Sequence, residues 1–339
     1  MGVACLCACS TAPSHFAYVT LSNDQVGAYR VDDSSGLLTA IPGSPYATGV
    51  FPTAVVVHPS RKFAYVANNG EGDISLFTIN AATGALNEVL PRAITGTNPA
   101  ALAIGPEGGV LFVANSGSGT ISVYSIDAKT GVLSQTTGSP FSCGVSPVAL
   151  AVTSSKMLYA VDSGSDSVCA FSIGATGTLT AISGSPFKVG DNPTSVAVDA
   201  SGQFLYVTNL LSNNISAFTI GSNGHLAPVI GSPFAAGTGP ISVAAAPSGE
   251  FIYVANQGSN NVSRFAISTI GVPSPTGSPV RAGRGPVFVA PDFTGSFVFV
   301  GNGLSASLSE FAVSSGGLAN VNQSPYGTPS APTAMTTVK

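Results

Sequence analysis

Charged side chains are scarce in this sequence. Of its 339 residues, 11 are Lys or Arg and 15 are Asp or Glu, together 8% of the chain, which gives a formal net charge of −4. Disordered chains are rich in charge and poor in apolar residues, so a hydrophobic fraction of 44% excludes that class. The low number of basic residues and the absence of a basic cluster argue against nucleic acid as a partner.

Long apolar runs, heptad repeats and tryptophan are also missing. No window beyond the N-terminus approaches the roughly 18 uninterrupted apolar residues of a membrane-spanning helix. The absence of heptads rich in Ala, Glu, Lys, Leu and Arg excludes a coiled coil. What the chain has instead is 40 Gly and 24 Pro, which are too closely spaced for long helices.

Three series of residues recur along the whole chain at intervals of 46 to 48 residues. The proline series consists of Pro52, Pro99, Pro147, Pro193, Pro240, Pro286 and Pro332. The first aromatic series consists of Tyr18, Tyr65, Phe112, Tyr159, Tyr206, Tyr253 and Phe299. The second consists of Tyr29, Phe77, Tyr124, Phe171, Phe218, Phe265 and Phe311. Because the three series keep step, the chain contains seven copies of one unit.

Each unit is predicted to contain four short strands. In one copy, residues 193–199, 204–209 and 215–220 are rich in apolar and β-branched residues and are separated by Gly, Ser and Asn. A fourth strand follows and ends in the Gly-Ser-Pro-Phe run at 231–234. Period-two alternation between such turns indicates strands, and seven four-stranded units indicate a β-propeller.

The two ends of the chain complement each other. Residues 16–20 have the pattern of a second strand with no first strand before it, and residues 332–338 that of a first strand with nothing after it. The fold class predicted is therefore all-β: a seven-bladed β-propeller with four antiparallel strands per blade. The C-terminal strand is expected to join the N-terminal blade and close the ring, which removes exposed sheet edges.

Residues 15–339 are predicted to form this single domain, and residues 1–14 a signal or lipobox remnant or a tail. Leu6-Cys-Ala-Cys9 resembles a bacterial lipobox, in which Cys9 would be lipidated after cleavage; a chance match is the alternative. This favours an extracytoplasmic location (cell surface, periplasm or secreted), with contact to a membrane only through the lipid anchor. The spacing of Cys143 and Cys169 does not decide whether they are bonded.

Several motifs resemble a known family. Tyr206-Val-Thr-Asn209 and its counterparts in other units resemble the YVTN-repeat propellers. The run from His58 to Asn68 further resembles the seven-bladed lactonase family, which includes 6-phosphogluconolactonase-type and muconate-lactonising propellers. The resemblance covers residues 16–338. It implies the propeller fold more directly than the activity, because the matching motifs are structural ones.

The resemblance also implies where catalytic residues would lie. Family members are similar in having Gly-Pro-Arg-His at the start of an inner strand, and Glu directly after a Tyr-Val-x-Asn run. Arg would bind the carbonyl oxyanion, and Glu or His would act as the base. Here Thr194 and Ser195 stand where Arg and His would, and Leu210 stands where Glu would. The sequence therefore predicts that this trio is missing.

The three histidines, His15, His58 and His225, do not supply a substitute. In a propeller, the loops that join second to third strands and outer strands to the next blade share one face, which we call the ligand face. All three histidines are predicted on the opposite face, as surface or turn residues. A His-based triad or a His-ligated metal at the ligand face is therefore excluded, and no cofactor or metal is expected.

Five residues are candidates for ligand binding. Phe51 lies in a ligand-face loop, and Phe288 lies where other inner strands have small residues; each would line a pocket or fill a gap between blades. Arg281 and Arg284 are close together in the last ligand-face loop and would receive a carboxylate or phosphate, unless both are simply solvated. Asp191 and Arg284, across the central mouth, are the pair that would suit lactone chemistry.

A polar residue also follows most second strands, and these residues form a near-complete ring. The ring consists of Asn68, Asn115, Asp162, Asn209, Asn256 and Asn302. Such side chains are expected to hydrogen-bond the turn backbone, with ligand or cation binding as the alternative.

Two functions are consistent with these observations. The first is an exported or cell-surface binding and assembly module that lacks the family's catalytic residues. Its partner would be another protein or a second copy, because low charge weakens repulsion between copies. The alternative is a lactonase that hydrolyses a sugar or small-molecule lactone at the central funnel. A carbohydrate-binding lectin is disfavoured, because few aromatics lie outside the repeat.

Overall fold

The computed structural model describes residues 14–338 as a closed ring of seven sheets, which confirms the predicted fold class. We number the sheets as blades 1 to 7 in chain order. Neighbouring inner strands contact each other all the way around the central channel. The inner strands of blades 2 to 7, followed by that of blade 1, are Pro52–Val57, Pro99–Ile104, Pro147–Val152, Pro193–Val198, Pro240–Ala245, Pro286–Pro291 and Pro332–Val338.

The second and third strands form the middle of each blade. The second strands are Ser14–Leu21, Phe63–Asn68, Val110–Asn115, Met157–Asp162, Phe204–Asn209, Phe251–Asn256 and Phe297–Asn302. The third strands are Gln25–Asp32, Asp73–Ile79, Thr120–Ile126, Ser167–Ile173, Asn214–Ile220, Asn261–Ile267 and Ser307–Ser314. A short 3-10 helix, Gly303–Ser305, connects the last two. The second strands are buried along almost their whole length, because a neighbouring blade covers each face.

The outer strands differ from the expected single segment. In six blades the Ser-Pro run divides the strand into two pieces, because proline has no N–H to donate to the ladder. The pieces are Leu38–Ala40 and Tyr46–Ala47, Leu133–Gln135 and Phe141–Ser142, Leu179–Ala181 and Phe187–Lys188, Leu226–Pro228 and Phe234–Ala235, Pro273–Pro275 and Val280–Arg281, and Gly317–Asn320 and Tyr326–Gly327. Blade 2 has one longer strand, Leu86–Ile94.

Blade 1 is assembled from both ends of the chain, as predicted. Pro332–Val338 pairs antiparallel with Ser14–Leu21, and Tyr18 lies opposite Thr336 in this pairing. The hydroxyl of Thr333 also donates to the carbonyl oxygen of Pro52, at 2.7 Å, and so links the closing strand to blade 2.

The first aromatic series packs between blades. All seven members are buried, and four of the tyrosines donate a hydrogen bond of 2.8–2.9 Å to a glycine carbonyl in the next blade. The four pairs are Tyr18–Gly84, Tyr65–Gly131, Tyr159–Gly224 and Tyr206–Gly271. Burial raises the pKa of these phenols, that of Tyr159 to about 12. The period read from the sequence therefore reflects contacts between successive blades.

His15 does not occupy the surface or turn position predicted for it. It lies in a strand, is only 1% exposed, and its Nδ1 is 2.7 Å from Oδ1 of Asp33. The ring of Phe293 packs edge-on against the imidazole and completes its enclosure. His58 and His225 do lie in turns, and all three histidines are on the face opposite the ligand face.

Candidate functional site

The ligand face surrounds the mouth of the central channel. Inner strands begin there at their prolines, and second strands end there at the Asn and Asp residues of the ring. Each blade therefore contributes two loops to this mouth, one before its inner strand and one after its second strand. The side chains of these fourteen loops decide what the mouth can bind.

Five asparagines of the ring are fully buried and hold strands together. Each donates from Nδ2 to a serine hydroxyl seven residues later, at 2.9–3.0 Å. The pairs are Asn68–Ser75, Asn115–Ser122, Asn209–Ser216, Asn256–Ser263 and Asn302–Ser309. The expected turn-backbone partner is therefore not the main one, because a third-strand hydroxyl lies within reach of every buried amide.

Blade 4 is the exception. Its third strand carries Cys169 where the other blades named above have serine, and Cys169 forms a disulfide with Cys143, with a Cα–Cα distance of 5.9 Å. The ring residue here is Asp162, whose carboxylate accepts hydrogen bonds from the backbone N–H groups of Val145 and Ser146 at 2.9 and 2.7 Å. The ligand-face loop that leads into blade 4 is thus held at two neighbouring points.

The positions that correspond to the family's catalytic trio support the framework. The hydroxyl of Thr194 lies 3.4 Å from the carbonyl oxygen of Pro240 in the next inner strand. The hydroxyl of Ser195 accepts a hydrogen bond from the Val243 N–H at 3.2 Å. Leu210 is half-buried. None of these three side chains is ionisable, so they supply neither the cation nor the base of lactone chemistry.

Two ligand-face aspartates are engaged by the backbone. Oδ1 of Asp24 accepts the N–H of Phe51 at 2.8 Å, and Oδ1 of Asp166 accepts the N–H of Asn192 at 2.8 Å. In both cases the donor directly precedes the proline of an inner strand. These carboxylates therefore fix the entrance of the strand and have one oxygen already committed.

A group of charges in blade 2 is mutually paired. Arg92 contacts Glu71 through Nη1 at 2.7 Å and Glu88 through Nε at 2.8 Å. The hydrogen bond with Glu88 raises the pKa of Arg92, while burial raises that of Asp73, whose Oδ2 lies 3.9 Å from the guanidinium. The single cation of this group is thus committed to its own carboxylates.

Asp191, Arg281 and Arg284 are different. Their side chains are exposed and make no hydrogen bond or ion pair with any residue of the described range 14–338. The backbone of two of them is hydrogen-bonded: the N–H of Asp191 donates to Ser212 Oγ at 2.8 Å, and that of Arg284 to Ser305 Oγ at 3.1 Å. Within that range they are the charged ligand-face side chains without a protein partner.

The two aromatic candidates lie in different environments. Phe51 is 47% exposed at the mouth. Phe288 is buried, and its ring occupies the space next to Gly301, its partner in the second strand of the same blade. A Cβ on Gly301 would come within 2.1 Å of that ring. Phe288 therefore fills the interior between blades 7 and 1.

Two further mouth residues were not identified from the sequence. Leu211 and Leu304 are 67% and 73% exposed. Each stands two residues after its ring asparagine, where four other blades have Gly70, Gly117, Gly164 and Gly258. The signal that would have found them is this replacement of a repeated glycine by a large apolar residue.

The described residues offer neither a cluster of metal ligands nor a membrane-spanning helix. Among residues 14–338, no group of three or more His, Cys, Asp or Glu residues is placed to hold a metal ion. The same stretch of chain contains no helix with the length and hydropathy needed to span a bilayer. The predicted lipidation site Cys9 lies outside the described residues.

Comparisons with known proteins bear on the family. The model of the family described as lactonase, 7-bladed β-propeller, matches residues 16–152 and 149–333. No curated protein matches the sequence.

Solved structures agree on the fold. A Bacteroides fragilis protein assigned as a 6-phosphogluconolactonase has a TM-score of 0.86 at 20% identity, covering 97% of this chain and 99% of its own. The Pseudomonas aeruginosa periplasmic gluconolactonase has a TM-score of 0.85 at 21% identity, with 96% and 99% covered. A similar Bacteroides uniformis protein, also assigned as a 6-phosphogluconolactonase, scores 0.84 at 18% identity, with 96% and 99% covered.

Proposed function

The chain belongs to the seven-bladed β-propeller lactonase family, and on that basis we propose that it hydrolyses a lactone at the ligand-face mouth of its channel. The observation that carries this proposal is the set of unpaired charges at the mouth, Asp191, Arg281 and Arg284. Other acidic groups of this face are engaged by backbone N–H groups or by Arg92. A surface on which most charges are satisfied leaves these three for a ligand.

The chemistry assigned to these residues is an ester hydrolysis. The carboxylate of Asp191 takes a proton from a water molecule while the oxygen of that water adds to the lactone carbonyl carbon. The guanidinium of Arg284 stabilises the resulting oxyanion, and Arg281 binds an anionic substituent of the substrate. The ring C–O bond then breaks, and the departing alkoxide takes the proton back from Asp191. The product is the open hydroxy acid.

The test is an assay with 6-phosphogluconolactone and simple γ-lactones. We expect Asp191→Asn to lower kcat by about 10²-fold or more, and Arg284→Ala by a similar factor, because each removes a group that acts in the transition state. Lys129→Ala, an exposed cation on the opposite face, is the matched control and should leave the rate unchanged. Wild-type rates in both mouth variants would contradict the proposal.

A binding or assembly module is the second candidate function. The observation that favours it is the absence of ionisable groups at Thr194, Ser195 and Leu210, where the family resemblance implies the trio. If no lactone is hydrolysed, this candidate takes precedence. It then predicts a binding partner or self-association, detectable as oligomers by light scattering at high protein concentration.

We also propose an extracytoplasmic location. The Cys143–Cys169 disulfide supports it, because disulfides persist in oxidising compartments and are rare in the cytosol. Lipid attachment at Cys9 is part of the same proposal. Labelling with a radioactive fatty acid in the native host should mark the protein and fail to mark Cys9→Ala. Recovery of unlabelled protein in the cytosolic fraction would overturn both.

A further inference from the structure

Two sites at the mouth combine an exposed leucine with an unpaired charge. The N–H of Leu211 donates to the carbonyl oxygen of Asp191 at 3.3 Å, and the N–H of Leu304 donates to that of Arg284 at 3.1 Å. The backbone therefore places each leucine directly beside the residue that carries the charge. Both leucines lie in loops where four other blades have glycine, and their side chains are largely exposed.

The two sites flank blade 6. Leu211 belongs to blade 5 and Leu304 to blade 7, and the inner strand of blade 6 contacts both neighbouring inner strands. The loops of blade 6 between them carry the small residues Thr238, Gly239 and Gly258, together with the polar residues Gln257 and Asn260. Ile241, in the inner strand of this blade, is only half-buried. The arrangement places a partly exposed apolar side chain in the blade between the two leucines.

This part of the mouth is poorly suited to a polyhydroxylated sugar. A sugar ligand needs several free hydrogen-bonding side chains, because each hydroxyl that loses water must find a partner. In blades 5 to 7 the ring asparagines are buried and bonded to serines, and the amide oxygens of Asn213 and Asn260 accept backbone N–H groups. An alkyl chain needs no such partners and gains by leaving water.

We infer that the substrate is an amphiphilic lactone, with an alkyl chain that lies between Leu211 and Leu304 over blade 6, its carbonyl group at Arg284 and an anionic group that meets Arg281. This inference rests on the proposed lactonase function and adds the substrate class. The two leucines are specificity-determining residues for chain length, and Arg281 selects the charged end.

The first measurement is binding, which does not depend on turnover. Octanoate, butyrate and gluconate are titrated into the protein by calorimetry. Octanoate should bind about 10- to 200-fold more tightly than butyrate, the upper figure corresponding to full burial of four additional methylenes. Gluconate should bind more weakly than octanoate. Leu304→Ser should remove most of the chain-length effect, whereas Ile270→Ser, an exposed apolar residue on the opposite face, should not.

The second measurement is hydrolysis of γ-octanolactone, γ-butyrolactone and δ-gluconolactone. The ratio of kcat/KM for γ-octanolactone over γ-butyrolactone should exceed ten and should fall towards one in Leu211→Ser and Leu304→Ser. Circular dichroism and thermal melting of both variants, which should match the wild type because both leucines are exposed, show that they fold.

The outcomes separate the two claims. Hydrolysis of all lactones without chain-length preference, unchanged by the leucine substitutions, overturns the substrate class and leaves the lactonase function standing. Octanoate binding that depends on Arg284 and Leu304, without hydrolysis of any lactone, overturns the lactonase function and supports the amphiphilic site. Absence of both binding and hydrolysis overturns both.

Discussion

Glu310 is the least well satisfied side chain of the described residues. It lies in the third strand of blade 7, is 0% exposed, and neither carboxyl oxygen has a hydrogen-bond partner. It packs against Gly36 of blade 1, where a Cβ would overlap its carboxyl oxygen, so that only glycine fits opposite it. Burial raises the pKa of Glu310 to about 8, and the charge of nearby Asp292 acts in the same direction.

This environment predicts a stability that falls in alkaline solution. The folded-state pKa of about 8 lies above 4.5, the ordinary pKa of a glutamate, so the folded protein loses stability as pH rises between these two values. The amide introduced by Glu310→Gln cannot ionise, so this variant should not show that loss of stability. The free energy of unfolding of the variant, relative to that of the wild type, should rise by on the order of 3 kcal/mol from pH 5 to pH 9. Urea denaturation at both pH values measures it.

The matched control is Glu250→Gln, an exposed carboxylate at a turn on the opposite face. Its effect on unfolding should be nearly the same at both pH values. A wild-type free energy of unfolding that does not change between pH 5 and pH 9 would contradict the assignment of Glu310 as a buried acid.

The environment of single residues was the part hardest to predict from sequence. The position of Glu310 in the repeat was evident, but the equivalent position in blade 6 is Arg264, which reaches the carbonyl oxygens of Ser314 and Ser315. The same repeat position thus holds a buried acid without a hydrogen-bond partner in blade 7 and a hydrogen-bonded guanidinium in blade 6. The reason lies in the facing blade, which a single repeat does not describe. Phe288 is similar, because its burial depends on Gly301 in another strand.

At the level of strands and loops, the disulfide occupies the positions of a hydroxyl pair in blade 2. In blade 2 the hydroxyl of Thr48 donates to Ser75 at 2.9 Å, at the positions that Cys143 and Cys169 occupy in blade 4. The disulfide closes a segment of 26 residues, which corresponds to about 3.5 kcal/mol of chain-entropy stabilisation. It therefore anchors the loop that carries the exposed Val145 at the mouth.

Two double variants separate the contribution of the disulfide from that of a hydrogen bond at the same positions. Cys143→Ala with Cys169→Ala should lower the free energy of unfolding by about 3 kcal/mol. Cys143→Thr with Cys169→Ser restores the hydroxyl pair of blade 2 and should recover about 1 kcal/mol of that loss. Urea denaturation under non-reducing conditions measures both. Equal stability of the wild type and the Ala pair would show that the bond does not constrain the chain.

At the level of the whole molecule, ring closure depends on the last strand. Deletion of residues 330–339 exposes the edge of Ser14–Leu21 and removes the contact between blade 1 and blade 2 through Thr333. We expect cooperative destabilisation of the entire ring, measured as a large fall in Tm by calorimetry. Thr333→Val is the control: it removes the hydrogen bonds of this hydroxyl with Pro52 and Thr20, keeps the strand, and should cost only about 2 kcal/mol. An unchanged Tm after deletion would contradict the closure.

The fold was predictable from the sequence because residues with the same structural role recur at equivalent positions in all seven blades. Tyr206 and its counterparts, the inner-strand prolines and the closing segment 332–338 each report a contact made in every blade. The candidate site was predictable only in part. Asp191 and Arg284 stood out as charges in a charge-poor chain, but Leu211 and Leu304 did not, since exposed leucines are ordinary until the positions of their neighbours are known.

The pairing of Ser14–Leu21 with Pro332–Val338 also affects how the protein is made. Thr20 and the carbonyl of Ala334, which it hydrogen-bonds, are separated by 314 residues. At about 5–20 residues per second, synthesis of that interval takes roughly 15–60 s. During this time the nascent first blade presents an unpaired strand edge to its surroundings. Until the final strand is made, this edge is open to pairing with other chains, so the last strand also ends the period in which the first blade is most prone to aggregate.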